Sequence, residues 1–138
     1  MKIESKDYLK YKDRSLSWLD KKLWRLFSEF IRKRDADDFG VAKCISCNLQ
    51  REWKYLGCGH YISRGNKRVK FDERNNNAQC KGCNAFKQGA AQEYRIGLIE
   101  KIGLDEVEDL ERTAAMGSKK IDRMEYIALI VKYESKRS

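Results

Sequence analysis

Several features that define large classes of protein are missing from this sequence. It has no proline and a single histidine, His60, and its five cysteines cannot all pair as disulfides within one chain because their number is odd. No apolar signal segment follows Met1, and the longest apolar run, residues 127–131, is far shorter than the roughly 20 residues that a membrane span needs. We therefore expect a soluble, intracellular and cytoplasmic protein without a membrane partner.

Charged residues are abundant and unevenly distributed. The 138 residues include 30 lysines and arginines against 21 acidic residues, a formal net charge of +9. Residues 51–95 hold ten basic and four acidic residues, whereas residues 96–117 hold two basic and six acidic ones. A small basic domain usually binds a polyanion, most often nucleic acid, although a merely solvated basic surface is the alternative.

The patterns predict an α+β fold in one small domain. We expect residues 1–14 to be a flexible polar arm and residues 15–138 to form the domain. Within the domain the chain is predicted to run through three parts, which are a leading helix in 15–40, a metal-braced β region in 41–95 and C-terminal helices in 96–138.

Individual elements follow from periodicity and from capping residues. The leading helix is predicted to begin at a Ser15 or Ser17 cap and to stop at Gly40, and to pack on the core, with dimerisation as the alternative. A helix ending at Gly103, an acidic helix at Leu104–Ala115 and a last helix capped by Ser118 are expected at the C-terminal end. Short strands are predicted at Trp53–Leu56, Tyr61–Ile62 and Val69–Phe71.

Four of the five cysteines form two Cys-x-x-Cys pairs, Cys44 with Cys47 and Cys80 with Cys83, separated by 32 residues. Two residues between ligands let both thiolates of a pair reach one tetrahedral ion. The duplicated pair predicts a structural four-cysteine zinc site rather than a redox pair or plain buried thiols. A site that used Cys58 and His60 beside the first pair is the alternative, but we expect Cys58 to be a small strand residue facing the core.

His60 lies inside the basic segment, in the order Gly59-His60-Tyr61-Ile62-Ser63-Arg64. An asparagine run, Asn75-Asn76-Asn77, precedes the second cysteine pair, and Asn84 follows that pair directly. A lone histidine is usually structural, and an asparagine run is often only a turn-rich loop. Their joint order of histidine, asparagine and CxxCN around one metal site resembles the HNH (His-Me finger, ββα-metal) endonuclease motif with zinc knuckles.

The resemblance extends to a narrower family. The segments CISC, GHYISR, KFDERNNNAQCKGCNAFKQG and YRIGLIEKIG are similar to the phage NinG (Rap) recombination-protein family, from about Leu16 to Leu110. It implies a bacteriophage protein in a bacterial host cell, with a small ββα-metal core that cuts branched DNA. D-loops and four-way (Holliday) junctions are the implied substrates, and the implied products carry 5′-phosphate and 3′-hydroxyl ends.

The resemblance also implies roles for individual residues. His60 would be the general base, and Asn84 would bind a catalytic Mg²⁺ or Mn²⁺ ion. Asn75 would fix the loop or orient His60, and Arg64 would grip phosphate and stabilise the transition state. The residues expected to bind DNA are Arg64, Lys67, Arg68, Lys70, Lys81 and Lys87.

One position departs from the pattern, because many HNH enzymes have an aspartate before the histidine and this chain has Gly59. The ion would then be held by Asn84, water and phosphate, or by a substitute such as Asp72 or Glu73. A zinc-dependent DNA-binding module without catalysis and a nicking nuclease for ordinary duplex are the competing functions. Cutting both strands of a symmetric junction needs two sites, so a homodimer is expected.

Overall fold

The structure is a computed structural model that describes residues 2–86 and 90–137. It confirms the α+β fold class. The helices are α1 (Ser5–Tyr11), α2 (Leu16–Arg34), α3 (Ala91–Ile102), α4 (Leu104–Ala115) and α5 (Arg123–Ser135), and the strands are β1 (Val41–Lys43), β2 (Gln50–Glu52), β3 (Gly57–His60) and β4 (Asn76–Gln79). Among the described residues, no helix has the length and apolar character required to cross a membrane.

Contacts within the chain divide it into two compact units. The first comprises residues up to Phe30 together with those from Lys120, and contains α1, most of α2, and α5. Its aromatic residues pack closely, since the rings of Phe27 and Tyr133 meet edge to face at 5.1 Å. Its largest fully buried side chains include Phe27, Leu19, Leu23, Tyr126, Ile127, Ile130 and Tyr133.

The second unit, Ile31–Lys119, holds the cysteines and the only histidine. Strands β1 and β2 form one antiparallel pair, and β3 and β4 form another, in which Gly57 lies opposite Gln79 and His60 lies opposite Asn76. Two apolar clusters support these hairpins. One contains the buried members of the cysteine pairs and Leu56, and the other joins α3 and α4 through Val69, Tyr94, Leu98, Val107 and Leu110.

The helix predictions hold at most ends, but the leading helix stops at Arg34 rather than at Gly40, because residues 37–41 form a hydrogen-bonded turn. Ser15 begins α2, because its Oγ accepts a hydrogen bond from the Trp18 amide at 3.1 Å. Helix α3 ends before Gly103, and α4 has the predicted bounds. The prediction that Ser118 caps the last helix is wrong. Asp122 caps α5 in a reciprocal capping box with Glu125, while the Ser118 hydroxyl accepts from the Lys67 amide at 3.0 Å.

The strand predictions were wrong in position. Residues Trp53–Tyr55 form a 3₁₀ turn, Tyr61 and Ile62 follow the end of β3, and Val69–Phe71 lies in turns. The physical reason is that apolar residues bury equally well from a turn, so a short apolar run does not specify a strand. Val69 illustrates this, because it is fully buried although its amide donates to the Asn66 carbonyl in a turn.

Residues 1–14 differ from the flexible arm that their composition predicts. Ser5–Tyr11 is helical, and Tyr11 is buried with its hydroxyl donating to the Glu134 carboxylate. One buried aromatic side chain thus orders a segment whose average composition is polar. The single domain expected for residues 15–138 stays a prediction.

Candidate functional site: a four-cysteine centre and the β3–β4 hairpin

The two cysteine pairs converge on one point. The sulfur atoms of Cys44, Cys47, Cys80 and Cys83 all lie within 4.8 Å of one another, and the Cys47 and Cys80 sulfurs are 3.7 Å apart. A tetrahedron with Zn–S bonds of about 2.3 Å has S–S edges of roughly 3.8 Å, so the four thiols fit a zinc ion. The cluster contains neither Cys58 nor His60, which favours the four-cysteine set over the mixed alternative.

Backbone hydrogen bonds hold each pair in place. Cys44 directly follows β1, and its carbonyl accepts from the amide of Asn48, a residue in the left-handed region at φ +65°. Cys80 directly follows β4, and its carbonyl accepts from the Asn84 amide as the chain enters a π-helical turn at Gly82–Phe86. The Ile45 amide donates to the Ala78 carbonyl at 2.9 Å, so the first pair is tied to β4.

The thiols of the cluster differ in pKa, because burial raises the pKa of Cys47 and Cys83 whereas that of Cys80 is lowered. Burial raises the pKa of Cys80, but the Cys83 amide and the neighbouring thiols outweigh it and lower that pKa to about 7. Zinc binds the thiolate, so a lowered thiol pKa favours metal binding near neutral pH. The fifth cysteine, Cys58, is a strand residue buried in the core, as predicted, with 8% of its surface exposed.

His60 is the last residue of β3 and is half-buried. Burial lowers its pKa, and the positive charge of Arg64 lowers it further. Both effects favour the neutral form of the imidazole. Hydrogen bonds from Tyr94 fix the end of the strand that carries His60. The buried Tyr94 hydroxyl donates to the Gly59 carbonyl at 2.9 Å and accepts from the side-chain nitrogen of Asn77 at 3.1 Å.

The Asn75 side chain makes its hydrogen bonds to the loop that follows His60. Its side-chain oxygen accepts from the Ile62 amide at 2.7 Å, and its nitrogen donates to the Ile62 and Val69 carbonyls at 3.0 and 3.1 Å. The side chain is fully buried. Asn75 directly precedes β4, and its side chain thus ties the loop that follows His60 to that strand.

Asn84 lies in the turn after the second cysteine pair, and its side chain reaches the β3–β4 hairpin at the Gly57 end of β3. A Cβ on Gly57, the first residue of the strand, would lie 3.4 Å from the Asn84 side-chain nitrogen. His60 is three residues further on, roughly 10 Å along an extended strand. The structure therefore brings Asn84 to β3 without placing its side chain against His60.

Gly59 is glycine for a steric reason. A Cβ at this position would lie 2.0 Å from Oε1 of Gln79, which is closer than any real contact. Gln79 is fully buried, and its nitrogen donates to the Ser46 hydroxyl at 2.9 Å. The sequence reading missed Gln79. The alternating glycines at 57 and 59 were the available signal, because two missing side chains on one strand face leave room for a neighbour.

The proposed substitute acid Asp72 is already engaged. Its carboxylate accepts from the Arg74 amide and from the Arg74 guanidinium at 2.9–3.1 Å. The same guanidinium pairs with Glu106 and Asp109 of α4 at 3.2 and 2.7 Å. This ion-pair network argues against Asp72 as a metal ligand.

The residues predicted to bind DNA differ in their surroundings. Arg64, Lys67 and Lys81 are exposed. Arg68 is half-buried and donates to the Gly117 carbonyl at 2.7 Å, and the half-buried Lys70 holds its ammonium group 5.3 Å from the centre of the Phe71 ring. Lys87 lies outside the described residues.

Comparison with known proteins gives a consistent family. The family model described as bacteriophage lambda NinG protein matches residues 3–138. Protein ninG of Salmonella phage P22 is 36% identical over 110 residues, which are 74% of this chain and 51% of that protein. The relatives in Escherichia phage 933W and Escherichia phage lambda are 36% and 34% identical, over 77% and 74% of this chain and 52% and 50% of those proteins.

The chain spans about half the length of the curated relatives it matches. No solved structure matches it. Since the family model covers nearly every residue, including both cysteine pairs and His60, the chain belongs to the NinG family of bacteriophage proteins.

Proposed function

We propose that this protein is a metal-dependent, structure-selective DNA endonuclease of the HNH kind. Its substrates would be branched recombination intermediates, such as D-loops and Holliday junctions, in the cytoplasm of the bacterial host. The observation that carries the proposal is the position of His60, a half-buried imidazole at the end of β3, in a hairpin whose opposite end leads through Cys80 into the four-cysteine centre. Membership of a bacteriophage family agrees with a site of action in the bacterial host.

His60 acts as general base. An imidazole nitrogen accepts the proton of a water molecule as that water attacks the phosphorus atom. Burial and the Arg64 charge keep the imidazole deprotonated, as a base requires. The Tyr94 hydroxyl donates to the Gly59 carbonyl, and the Asn75 side-chain oxygen accepts from the Ile62 amide. The strand end before His60 and the loop after His60 are therefore both fixed.

Positive charge next to His60 binds the substrate. Arg64 and Lys67 are exposed in the loop that follows the base, and Lys81 is exposed within the second cysteine pair. Arg74 and Arg95 are instead neutralised by carboxylates of α4. Phosphates are therefore bound by the loop and the cysteine region, and Arg64 offsets charge that develops on the reacting phosphate.

Two metals have separate roles. Zinc in the four-cysteine centre would brace the hairpins, because it ties the end of β1 to the end of β4. A Mg²⁺ or Mn²⁺ ion, held by Asn84 and phosphate oxygens, would supply positive charge for the leaving 3′ oxygen.

A non-catalytic, zinc-dependent DNA-binding module is the second candidate. The observation that favours it is the engagement of Asp72 by Arg74, together with a glycine at position 59, so that Glu73 is the remaining one of the two acids named as substitute ligands. Such a module would bind phosphate through the same basic loop and would not need a deprotonated His60.

A cleavage assay on a labelled Holliday junction, a D-loop and a linear duplex distinguishes the nuclease from the binding module. We expect cutting of both branched substrates with Mg²⁺ or Mn²⁺, none with EDTA, and little on linear duplex. Equal cutting of the duplex would make the protein a general nicking nuclease. If the protein bound junctions tightly but cut none of them in the presence of any divalent ion, the binding module would be supported instead.

We also propose a homodimer, because two cuts in a symmetric junction need two active sites. Analytical ultracentrifugation of the full-length protein, with and without a junction, tests this. A single copy on each cut junction would contradict it.

A further inference from the structure

We infer that Phe39 and Tyr55 form a stacking surface for bases that are exposed at the branch point of the DNA. The two rings favour branched over linear DNA, because a base inside an intact duplex is already stacked on both faces. This inference rests on the proposed function, whose substrate is branched DNA, and it concerns a part of the chain outside the HNH motif.

Both rings lie at one end of the β1–β2 hairpin. Val41 begins β1 and is paired with the last residue of β2. Phe39 precedes that pair by two residues, and Tyr55 follows it by three. The Trp53 amide donates to the Gly40 carbonyl at 2.9 Å, so the turn before β1 and the turn after β2 are joined directly.

The exposure of the two rings is what a stacking surface requires. Phe39 is 88% exposed and Tyr55 is 63% exposed. Single exposed apolar residues are common on protein surfaces, but two large rings at one hairpin end form a patch. Aromatic rings bind bases of any sequence, because every base has a π-face. Such a contact suits a protein that selects DNA by structure.

The turn that carries Phe39 is held rigidly. The Asp37 carboxylate accepts from the amides of Phe39 and Val41 at 2.9 and 3.0 Å. The Asp37 amide donates to the Val41 carbonyl at 2.9 Å, and Gly40 provides the positive φ of +78° that the turn needs. A ring on a fixed turn loses less conformational entropy on binding than a ring on a mobile loop.

Cationic groups surround this hairpin end. The half-buried Trp53 ring has the Arg32 guanidinium 5.3 Å and the Lys33 ammonium 5.2 Å from its centre. The Lys54 ammonium lies 5.4 Å from the centre of the Tyr55 ring. These cations complement the phosphates that flank a stacked base, so their charge favours DNA over an apolar protein partner.

Acidic groups at the same end restrict which DNA fits. Asp38 is exposed next to Phe39, and the Glu52 carboxylate lies 3.5 Å from the Lys54 ammonium. A carboxylate beside a ring repels phosphate but not an uncharged base. A linear duplex presents its phosphates outward and is therefore a poorer ligand for this end than an open branch point.

Ring substitutions test the stacking surface through DNA binding, without added divalent ion. In zinc-loaded protein, Phe39→Ala should weaken binding of a labelled Holliday junction about fivefold or more, measured by fluorescence anisotropy, and leave binding of a linear duplex unchanged. Phe39→Trp should keep the junction affinity, whereas Phe39→Leu, which is apolar but has no flat face, should not. The matched control is Ile96→Ala, which truncates an exposed apolar residue of α3 and should change neither affinity.

Several results would overturn the inference. They are wild-type junction affinity in Phe39→Ala, an equal loss for junction and duplex, and wild-type affinity in Phe39→Leu. Conversion of a wild-type dimer to monomers by Phe39→Ala, seen in analytical ultracentrifugation, would also overturn it by assigning the patch to a protein interface.

The same experiment separates this inference from the nuclease. Cleavage by the wild-type protein together with unchanged junction binding in Phe39→Ala would remove the stacking surface and keep the nuclease. Selective loss of junction binding in Phe39→Ala, without cleavage by the wild-type protein with any ion, would keep the stacking surface and remove the nuclease. Absence of junction binding by the wild-type protein would remove both.

Discussion

At the scale of single residues, buried amides define the surroundings of His60. Asn75, Asn76, Asn77 and Gln79 are each at most 1% exposed, which is unusual for such polar side chains. Hydrogen bonds compensate for their burial, to backbone groups for the three asparagines and to the Ser46 hydroxyl for Gln79. Asn76, for example, donates to the Lys70 and Asp72 carbonyls at 3.0 and 2.9 Å. The loop from Tyr61 to Asp72 is therefore fixed by side chains rather than by a sheet.

Gly59→Ala tests the packing of Gln79. The new Cβ would overlap the Gln79 side chain, so we expect a loss of about 2 kcal/mol or more in the free energy of unfolding, measured in urea. Gly65→Ala is the matched control, because the nearest atom to its Cβ is the Ser63 hydroxyl at 3.6 Å. Adding Gln79→Ala to Gly59→Ala should restore part of the loss. No destabilisation by Gly59→Ala would refute the placement of Gln79.

Arg64→Ala tests the cause of the His60 pKa. Burial lowers this pKa below its ordinary value of 6.5 and Arg64 contributes next, so removing Arg64 should raise it. Since the chain has one histidine, the imidazole NMR signals report His60 alone. The control is Arg51→Ala, an exposed residue of β2. An unchanged pKa in Arg64→Ala would contradict the electrostatic contribution.

The same pKa predicts how stability depends on pH. Because the folded protein holds His60 with a pKa below 6.5, the unfolded chain takes up its proton first as the pH falls. The free energy that favours the neutral imidazole in the fold is thus present above pH 6.5 and decreases below it. His60→Ala should remove this part of the acid sensitivity.

At the scale of elements, the features that can be predicted from the sequence are those with a strong local pattern. The long stripe of α2, the capped ends of α3 and α4, and the paired cysteines were predictable because spacing alone encodes them. Strand β4 was not predictable. Its residues, Asn76–Gln79, are mostly polar yet buried, because their side-chain amides bind the preceding turn and, through Tyr94 and Ser46, more distant parts of the chain. Gln79 was missed for the same reason.

Asn75→Ala tests the attachment of the loop to β4. Three hydrogen bonds to Ile62 and Val69 are lost at about 1 kcal/mol each, so we expect the protein to be less stable by about 3 kcal/mol in urea unfolding. Hydrogen exchange at the Ile62 amide should also accelerate. Asn75→Asp keeps the acceptor for Ile62 and serves as the matched comparison. Unchanged exchange in Asn75→Ala would show that the loop is held by other contacts.

At the scale of the whole molecule, charge and metal act together. Carboxylates of α4 engage Arg74 and Arg95, and the exposed cations Arg64, Lys67 and Lys81 lie around the hairpin and the cysteine pairs. The distribution of the charged residues therefore matters more than the net charge of +9. The four-cysteine centre is the feature on which this arrangement depends, because it links β1 to β4.

Loss of zinc should consequently unfold the second unit. We expect one zinc per chain by elemental analysis, loss of near-ultraviolet circular dichroism on chelation, and the same loss in Cys80→Ser. Cys58→Ala is the matched control, since Cys58 is buried but outside the cluster, and it should keep the metal. Equal zinc loss in both variants would contradict the four-cysteine assignment.

Single-turnover cleavage of a labelled Holliday junction by wild-type, His60→Ala and Cys58→Ala proteins tests the central claim most directly. Cys58→Ala changes the same strand without touching the base. We expect metal-dependent cutting by wild type and Cys58→Ala, giving 5′-phosphate ends, and a rate about 10² to 10⁴ lower in a folded, zinc-containing His60→Ala protein. Cutting by His60→Ala at the wild-type rate would contradict it, as would the absence of cutting by the wild-type protein with any divalent ion.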